Sequence, residues 1–192
     1  MIELIISLLL FALLHSWMAA SSFKQQVSNA IGDSNFKKYY RLIYNIFSVL
    51  SFLPSFYFAN VPSTEMWHAK GYVAVAMVTL QFLAAVFIFI SVKQIDWKEF
   101  LGTRQLNSAT NIKTEHTEPL VVTGLYKYVR HPLYIFSMLL IWFRPVMTLN
   151  WFIFCFGCTL YFIVGSYFEE IKLQRVYGSS YAEYKQNAFW FF

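Results

Sequence analysis

Charge is what this sequence has least of. Of its 192 residues only 13% are Asp, Glu, Lys or Arg, against 58% hydrophobic and 21% aromatic. A water-soluble domain carries about 25% charged residues, so the composition argues against a soluble globular enzyme. The basic residues, 15 against 10 acids, form no aromatic-interleaved stripe, and nucleic acid is not expected as a partner. Cysteine is scarce as well. Cys155 and Cys158 lie together in one apolar run, without the polar partners that a metal or redox pair needs, and read as small hydrophobic residues. No Lys or Arg precedes the first apolar stretch and Glu3 stands near its start. A secretory signal peptide begins with positive charge, so this stretch is expected to be a retained span.

What the chain has instead is long apolar runs, as integral membrane proteins do. Five spans are expected: 2–20, 42–59 with Pro54 inside it, 71–92, 133–147 and 151–168. The segments between them are read as a polar loop over 21–41, a turn over 60–70, a long polar segment over 93–130, and a tight turn bracketed by Arg144 and Asn150. Within the long segment a short interfacial helix is predicted over 97–106, followed by loop and by extended chain at 120–123. Helix five is predicted to continue past Phe168 as an amphipathic stretch, stop at Gly178, and be followed by a short helix that a Ser180–Glu183 capping box opens. The aromatic residues 188–192 are placed on the membrane surface. The fold class is thus all-α: an integral membrane helical bundle of about five transmembrane helices with a cytoplasmic C-terminal helical cap. It reads as one domain over 1–192, with three N-terminal spans to residue 92, a loop over 93–131, and a helix hairpin and tail over 132–192. Of the 15 Lys and Arg residues only Lys70 and Arg144 fall on one side of a five-span arrangement. That asymmetry sets the N-terminus outside and the long loop and tail in the cytoplasm.

The stretch Gly124-Leu-Tyr-Lys-Tyr-Val-Arg-His-Pro-Leu-Tyr134 stands where a polar segment turns into an apolar helix. Proline suits the first helical position, so a helix is predicted to start at Pro132 with Arg130 and His131 just before it. Cations and a helix N-terminus attract anions; a positive cluster at the inner end of a membrane helix has the same appearance. An antiparallel pairing of spans four and five brings residue 131 and residue 169 to the same depth, placing Arg130 and His131 near Glu169 and Glu170. Such a set serves either as a structural ion-pair cluster or as a site for a ligand of both signs. The nearby Tyr126, Tyr128, Tyr134, Tyr167, Phe168 and Tyr177 can anchor an interface or receive a flat base or a cation. His15, near the inner end of span one, is expected to bond a neighbouring helix or sit at the interface.

The pattern Gly124-x-Tyr126-x-x-Val129-Arg130-His131-Pro132-x-Tyr134, then Glu169-Glu170, then Tyr177-Gly178-x-x-Tyr181-x-x-Tyr184, resembles the membrane methyltransferases related to isoprenylcysteine carboxyl methyltransferase and the phospholipid N-methyltransferases. Upstream, His15-Ser16, Tyr40-Arg-Leu-Ile-Tyr-Asn45 and Phe100-Leu-Gly-Thr-Arg-Gln-Leu106 look like the branch of methanethiol S-methyltransferase and the NnrU proteins. The resemblance implies S-adenosylmethionine as cofactor, bound by Val122, Gly124, Leu125, Tyr126, Arg130, His131, Pro132, Glu169 and Glu170, with Tyr126, Arg130 and Tyr134 as catalytic residues and no metal. It implies a small thiol or lipid acceptor that arrives through the bilayer, an active site facing the cytoplasm, and a bacterial inner membrane rather than the endoplasmic reticulum. Residues 107–118 are expected to order over the bound donor. The chain departs from the methanethiol branch at Ile171-Lys172, where Arg-Asp often follows the two acids. A non-catalytic NnrU-like membrane protein and a small transporter are the rival readings. Transport would favour charges deep within the spans, which spans one, two, three and five lack.

Overall fold

The computed structural model describes residues 1–107 and 119–191. Residues 108–118, on which the expected donor-ordered segment falls, lie outside the described residues. Four helices are long and apolar enough to cross a membrane: α1 (Ile2–Ala19), α3 (Asp33–Ala59), α4 (Gly71–Gln94) and α8 (Leu149–Tyr177). At about 1.5 Å per residue each reaches roughly 27 Å or more, close to or beyond a bilayer's hydrocarbon core. The protein is an all-helical integral membrane protein whose small two-stranded ribbon is its one departure among the described residues. The described chain forms two compact units, one of residues 1–61 and 96–107, the other of 62–95 and 119–191.

In the first unit α1 packs on α3, and α2 (Ser21–Ile31) joins them. The predicted loop over 21–41 is instead helical almost throughout. It is broken at Ala20, which is extended, and at Gly32, whose φ of +84° stops α2. α3 runs through Pro54 without ending. His15 bonds across the seam as expected: Nδ1 lies 2.9 Å from Ser48 Oγ, and the Tyr44 hydroxyl lies 2.6 Å from Nε2. Ser48 donates its own proton to the Tyr44 carbonyl (2.7 Å). Its oxygen therefore accepts from His15 Nδ1, and Nε2 accepts from Tyr44. The helix predicted over 97–106 is two pieces, α5 (Trp97–Leu101) and α6 (Arg104–Asn107). Asp96 caps α5 through the Glu99 N–H, and Gly102 ends it at φ +84°, where a Cβ would stand 2.6 Å from Leu42 N. Arg41 holds α5 to α3 by a 2.6 Å ion pair with Glu99.

The second unit contains α4, α7 (Pro132–Trp142), α8 and α9 (Ser179–Asn187), with strands β1 (Glu65–His68) and β2 (Val146–Thr148). The expected turns at 60–70 and 144–150 hold these two strands, paired antiparallel with Glu65 opposite Thr148 and His68 opposite Val146. Met147 is fully buried beneath them. The fourth expected span, 133–147, is a helix only as far as Trp142, too short to cross alone. Its flanks complete the length: Leu125 N–H donates to Gln94 Oε1 at one end of α4, and Ala69 N–H donates to the Pro145 carbonyl at the other. Gln81 joins α4 to α7 midway, donating to the Leu140 carbonyl at 2.8 Å. α8 starts on a Thr148 cap and extends past Phe168 to Tyr177, stopped at Gly178 as the sequence predicts. The capping-box expectation fails by two residues: the N-cap is Gly178, not Ser180, and α9 begins at Ser179 without a side-chain cap. Cys155 and Cys158 are unbridged and buried against α7, with Cys155 donating to the Ile141 carbonyl. α4 leaves Val73, Val75, Phe82 and Phe89 exposed, an apolar face suited to lipid.

Candidate active site

Two local devices create the site. Pro132 starts α7 as predicted, fully buried at its first position. A proline disfavours helical geometry at the residue before it, and His131, at φ −124°, stands outside the helix with Arg130 beside α8. The other device is Gly124, at φ +61°, which lets the chain turn against Gln94; a Cβ there would fall 2.4 Å from its amide nitrogen. The peptide donors at the start of α7 are less available than the sequence suggests. The His131 carbonyl takes the N–H groups of both Tyr134 and Ile135, so anion recognition at this end falls to side chains.

The expected meeting of the two cations with the two acids occurs, and the acids divide. Glu170 is buried and saturated. Its Oε2 receives Arg130 at 2.6 Å and Lys185 at 3.4 Å, and its Oε1 receives His131 Nε2 at 2.9 Å and the Tyr181 hydroxyl at 2.7 Å. A carboxylate only accepts, so the proton on this side of the imidazole sits on Nε2. Glu169 is partly exposed. Its Oε2 receives the Tyr134 hydroxyl at 2.9 Å and lies 3.5 Å from His131 Nδ1, and its Oε1 bonds no described residue. The rings of His131 and Tyr134 lie parallel, with centroids 5.5 Å apart, and Tyr134 stacks in turn on Phe162. Arg130 has one orphan: its Nε is buried without a hydrogen-bond partner among the described residues. An unmet guanidinium donor beside a satisfied ion pair suits a carboxylate or phosphate oxygen.

The remaining expected residues lie in the segment that precedes Arg130. Tyr126 and Leu125 are half-buried in the turn Gly124–Lys127, and Val122 is exposed just before it. Burial, and then the charge of Glu169, push the Tyr126 hydroxyl up to about 12. Tyr128, Tyr167 and Phe168 are exposed and sit with the interface anchors rather than the site. The sequence reading missed Lys185 and gave Tyr181 and Tyr184 no role, although both stand in the Tyr-Gly-x-x-Tyr-x-x-Tyr motif. Tyr181 is fully buried, and burial followed by its bond to Glu170 keeps the phenol protonated well above the ordinary tyrosine range. Tyr184 donates to the Tyr126 carbonyl at 2.5 Å. Behind them the backbone closes, with Arg130 N–H donating to the Phe189 carbonyl and Phe189 N–H to the Tyr128 carbonyl. No sequence signal marked that last contact.

The sequence matches the family model described as NnrU protein over residues 3–143. The chain belongs to the NnrU family. That match covers Arg130, His131 and Tyr134 and stops before the acids. Curated relatives match along more of the chain. Methanethiol S-methyltransferase 1 of Bradyrhizobium diazoefficiens is 35% identical over 92% of this chain and 61% of its own length. The methanethiol S-methyltransferases of Crocosphaera subtropica and Mycobacterium tuberculosis are 29% and 27% identical, each over 92% of this chain and over 68% and 71% of themselves. The chain thus spans less than two thirds of the first of these relatives and somewhat more of the others. No solved structure matches it.

Proposed function

We propose that this protein is an S-adenosylmethionine-dependent membrane methyltransferase that methylates a small thiol. The observation that carries the reading is the buried, unmet Nε of Arg130 beside an ion pair that is already complete. A cation whose charge served Glu170 alone would have no reason to keep a desolvated donor spare. The residues fit an amino-acid-bearing donor. Arg130 Nε takes its carboxylate, the free Oε1 of Glu169 takes its ammonium, and Val122, Gly124, Leu125, Tyr126 and Pro132 supply an apolar and aromatic wall. Glu170 contributes by holding Arg130 and His131 in place. The donor brings a methyl group on a sulfonium sulfur, so the protein's task is alignment and exclusion of water. The relatives are named for methanethiol S-methylation, which supports a small thiol as acceptor.

The charge asymmetry of the loops supports a site on the cytoplasmic face, and the bacterial relatives favour an inner membrane. The experiment is equilibrium binding of S-adenosylmethionine to the protein in detergent, with transfer of its labelled methyl group to methanethiol. Arg130→Lys, which keeps the charge and loses the fork, should weaken donor binding roughly 10- to 150-fold, the equivalent of one charge-assisted hydrogen bond. A folded parent protein that neither binds the donor nor transfers methyl overturns the proposal and leaves the cluster a structural ion-pair set.

A further inference from the structure

Methylating a thiol leaves a proton to be disposed of, and the site contains an arrangement for it. Tyr134 stacks on two rings, parallel to His131 within 2° and to Phe162 within 14°, which hold its ring and so the direction of its C–O bond. That hydroxyl donates to Glu169 Oε2 at 2.9 Å, and no described residue donates to its oxygen in return. Tyr134 therefore offers a half-buried acceptor lone pair, with its own proton already aimed at a carboxylate. Glu170, with four donors, can take no part; Glu169, whose Oε2 has one close donor among the described residues, can.

We propose that Tyr134 and Glu169 form the proton acceptor for a neutral thiol. The assignment rests on the methyltransferase reading above. The S–H bond breaks as the thiol sulfur forms its new bond to the methyl carbon. The S–H proton goes to the Tyr134 oxygen, and the Tyr134 proton passes to Glu169 Oε2. The electron pair of the broken methyl–sulfonium bond stays on the donor's sulfur. One positive and one negative charge disappear together, a favourable change where the dielectric is low. An acceptor that carries no proton gains nothing from the relay. The acceptor that this relay serves is thus an uncharged, proton-bearing nucleophile such as an alkyl thiol.

Thiol acidity tests this. Ethanethiol keeps its proton at neutral pH, whereas thiophenol is largely ionised and needs no acceptor. Tyr134→Phe keeps the stacked ring and loses only the relay oxygen. It should retain the parent's donor affinity by calorimetry, lose about 100-fold or more of its methyl transfer to ethanethiol, and lose less than about 10-fold with thiophenol. Glu169→Gln should show the same dependence on thiol acidity, which keeps the test open should Tyr134→Phe fail to fold. Equal losses with both thiols, unchanged transfer to ethanethiol, or loss of donor binding in Tyr134→Phe overturns the assignment while leaving the methyltransferase reading intact. A parent protein that methylates neither thiol overturns that reading and this assignment with it.

Discussion

Arg130 and Glu170 stand forty positions apart in the chain and meet at 2.6 Å, the guanidinium nitrogen Nη1 on one carboxylate oxygen, both side chains 11% exposed. Buried pairs of this kind are asymmetric in their energetics. Removing one partner strands the other, typically at about 3–5 kcal/mol, whereas replacing both with apolar residues of similar size is often neutral. Glu170→Ala should therefore be severely destabilised, and the double variant Arg130→Met, Glu170→Leu should recover only the part due to Arg130, because Tyr181 and His131 still lose their acceptor, while binding no donor. Chemical denaturation in detergent, run alongside donor titration, checks both halves.

Tyr181 adds a smaller, separable contribution. Its hydroxyl is wholly buried and donates to Glu170 at 2.7 Å. Tyr181→Phe removes one hydrogen bond to a charged group and keeps the packing, for an expected loss of about 1.5–3 kcal/mol. A loss below the error of the denaturation curve would mean that the bond contributes nothing net.

Alkaline titration should divide the tyrosines. Burial, and then the neighbouring charge of Glu169, push Tyr126 up to about 12, and burial does the same for Tyr184. The folded protein holds these phenols neutral, whereas in the unfolded chain they ionise near 10. Their contribution to stability is complete below pH 10 and is lost between pH 10 and 12, because the unfolded state releases protons first. Absorbance at the phenolate band should show a late-titrating subset, which Tyr126→Phe and Tyr184→Phe each reduce by one.

The glycines at two helix ends should respond differently to alanine. Gly178, at φ +55° and ψ −123°, has nothing within 4 Å of its would-be Cβ, so Gly178→Ala costs only backbone strain, about 1–3 kcal/mol. Gly102, at φ +84°, faces the Leu42 backbone at 2.6 Å, and backbone cannot move aside as a side chain can. Gly102→Ala should be clearly the worse, loosening the Arg41–Glu99 attachment with it. Equal melting temperatures for the two variants would contradict the geometry.

Topology follows from the charges. Reporter fusions at residues 65 and 110 should fall on opposite sides of the membrane, with residue 110 cytoplasmic. Finding both on one side would remove the five-crossing arrangement.

What was legible in the sequence was what a short window determines. Apolar runs located the spans, Pro132 the start of α7, Gly178 the end of α8. The meeting of Arg130 and His131 with Glu169 and Glu170 followed from pairing two adjacent spans. What escaped depends on partners remote in sequence. The β1–β2 ribbon lies in two turns whose residues, such as Glu65 and Thr148, find their mates 83 positions away. The helicity of 21–41 was hidden because its polar residues suggest loop, although α2 repeats apolar Phe23, Val27 and Ile31 at helical spacing. The capping box at Ser180 misled because Gly178 already occupies the cap position. The division of labour between two adjacent acids could not be read from the pair itself. Consecutive helical residues point about 100° apart, and only the packing of α9 decides which one is enclosed.

The bonds between Phe189 and the stretch 128–130 bear on how the protein is made. Arg130 is synthesised before α8, yet its backbone and its side chain's carboxylate partner are both held by segments that follow. During translation the earlier helices enter the membrane with this part of the chain still incomplete. The cluster is therefore completed last, and a chain ending between Tyr177 and Tyr181 would lack the Tyr181 and Lys185 contacts that enclose Glu170.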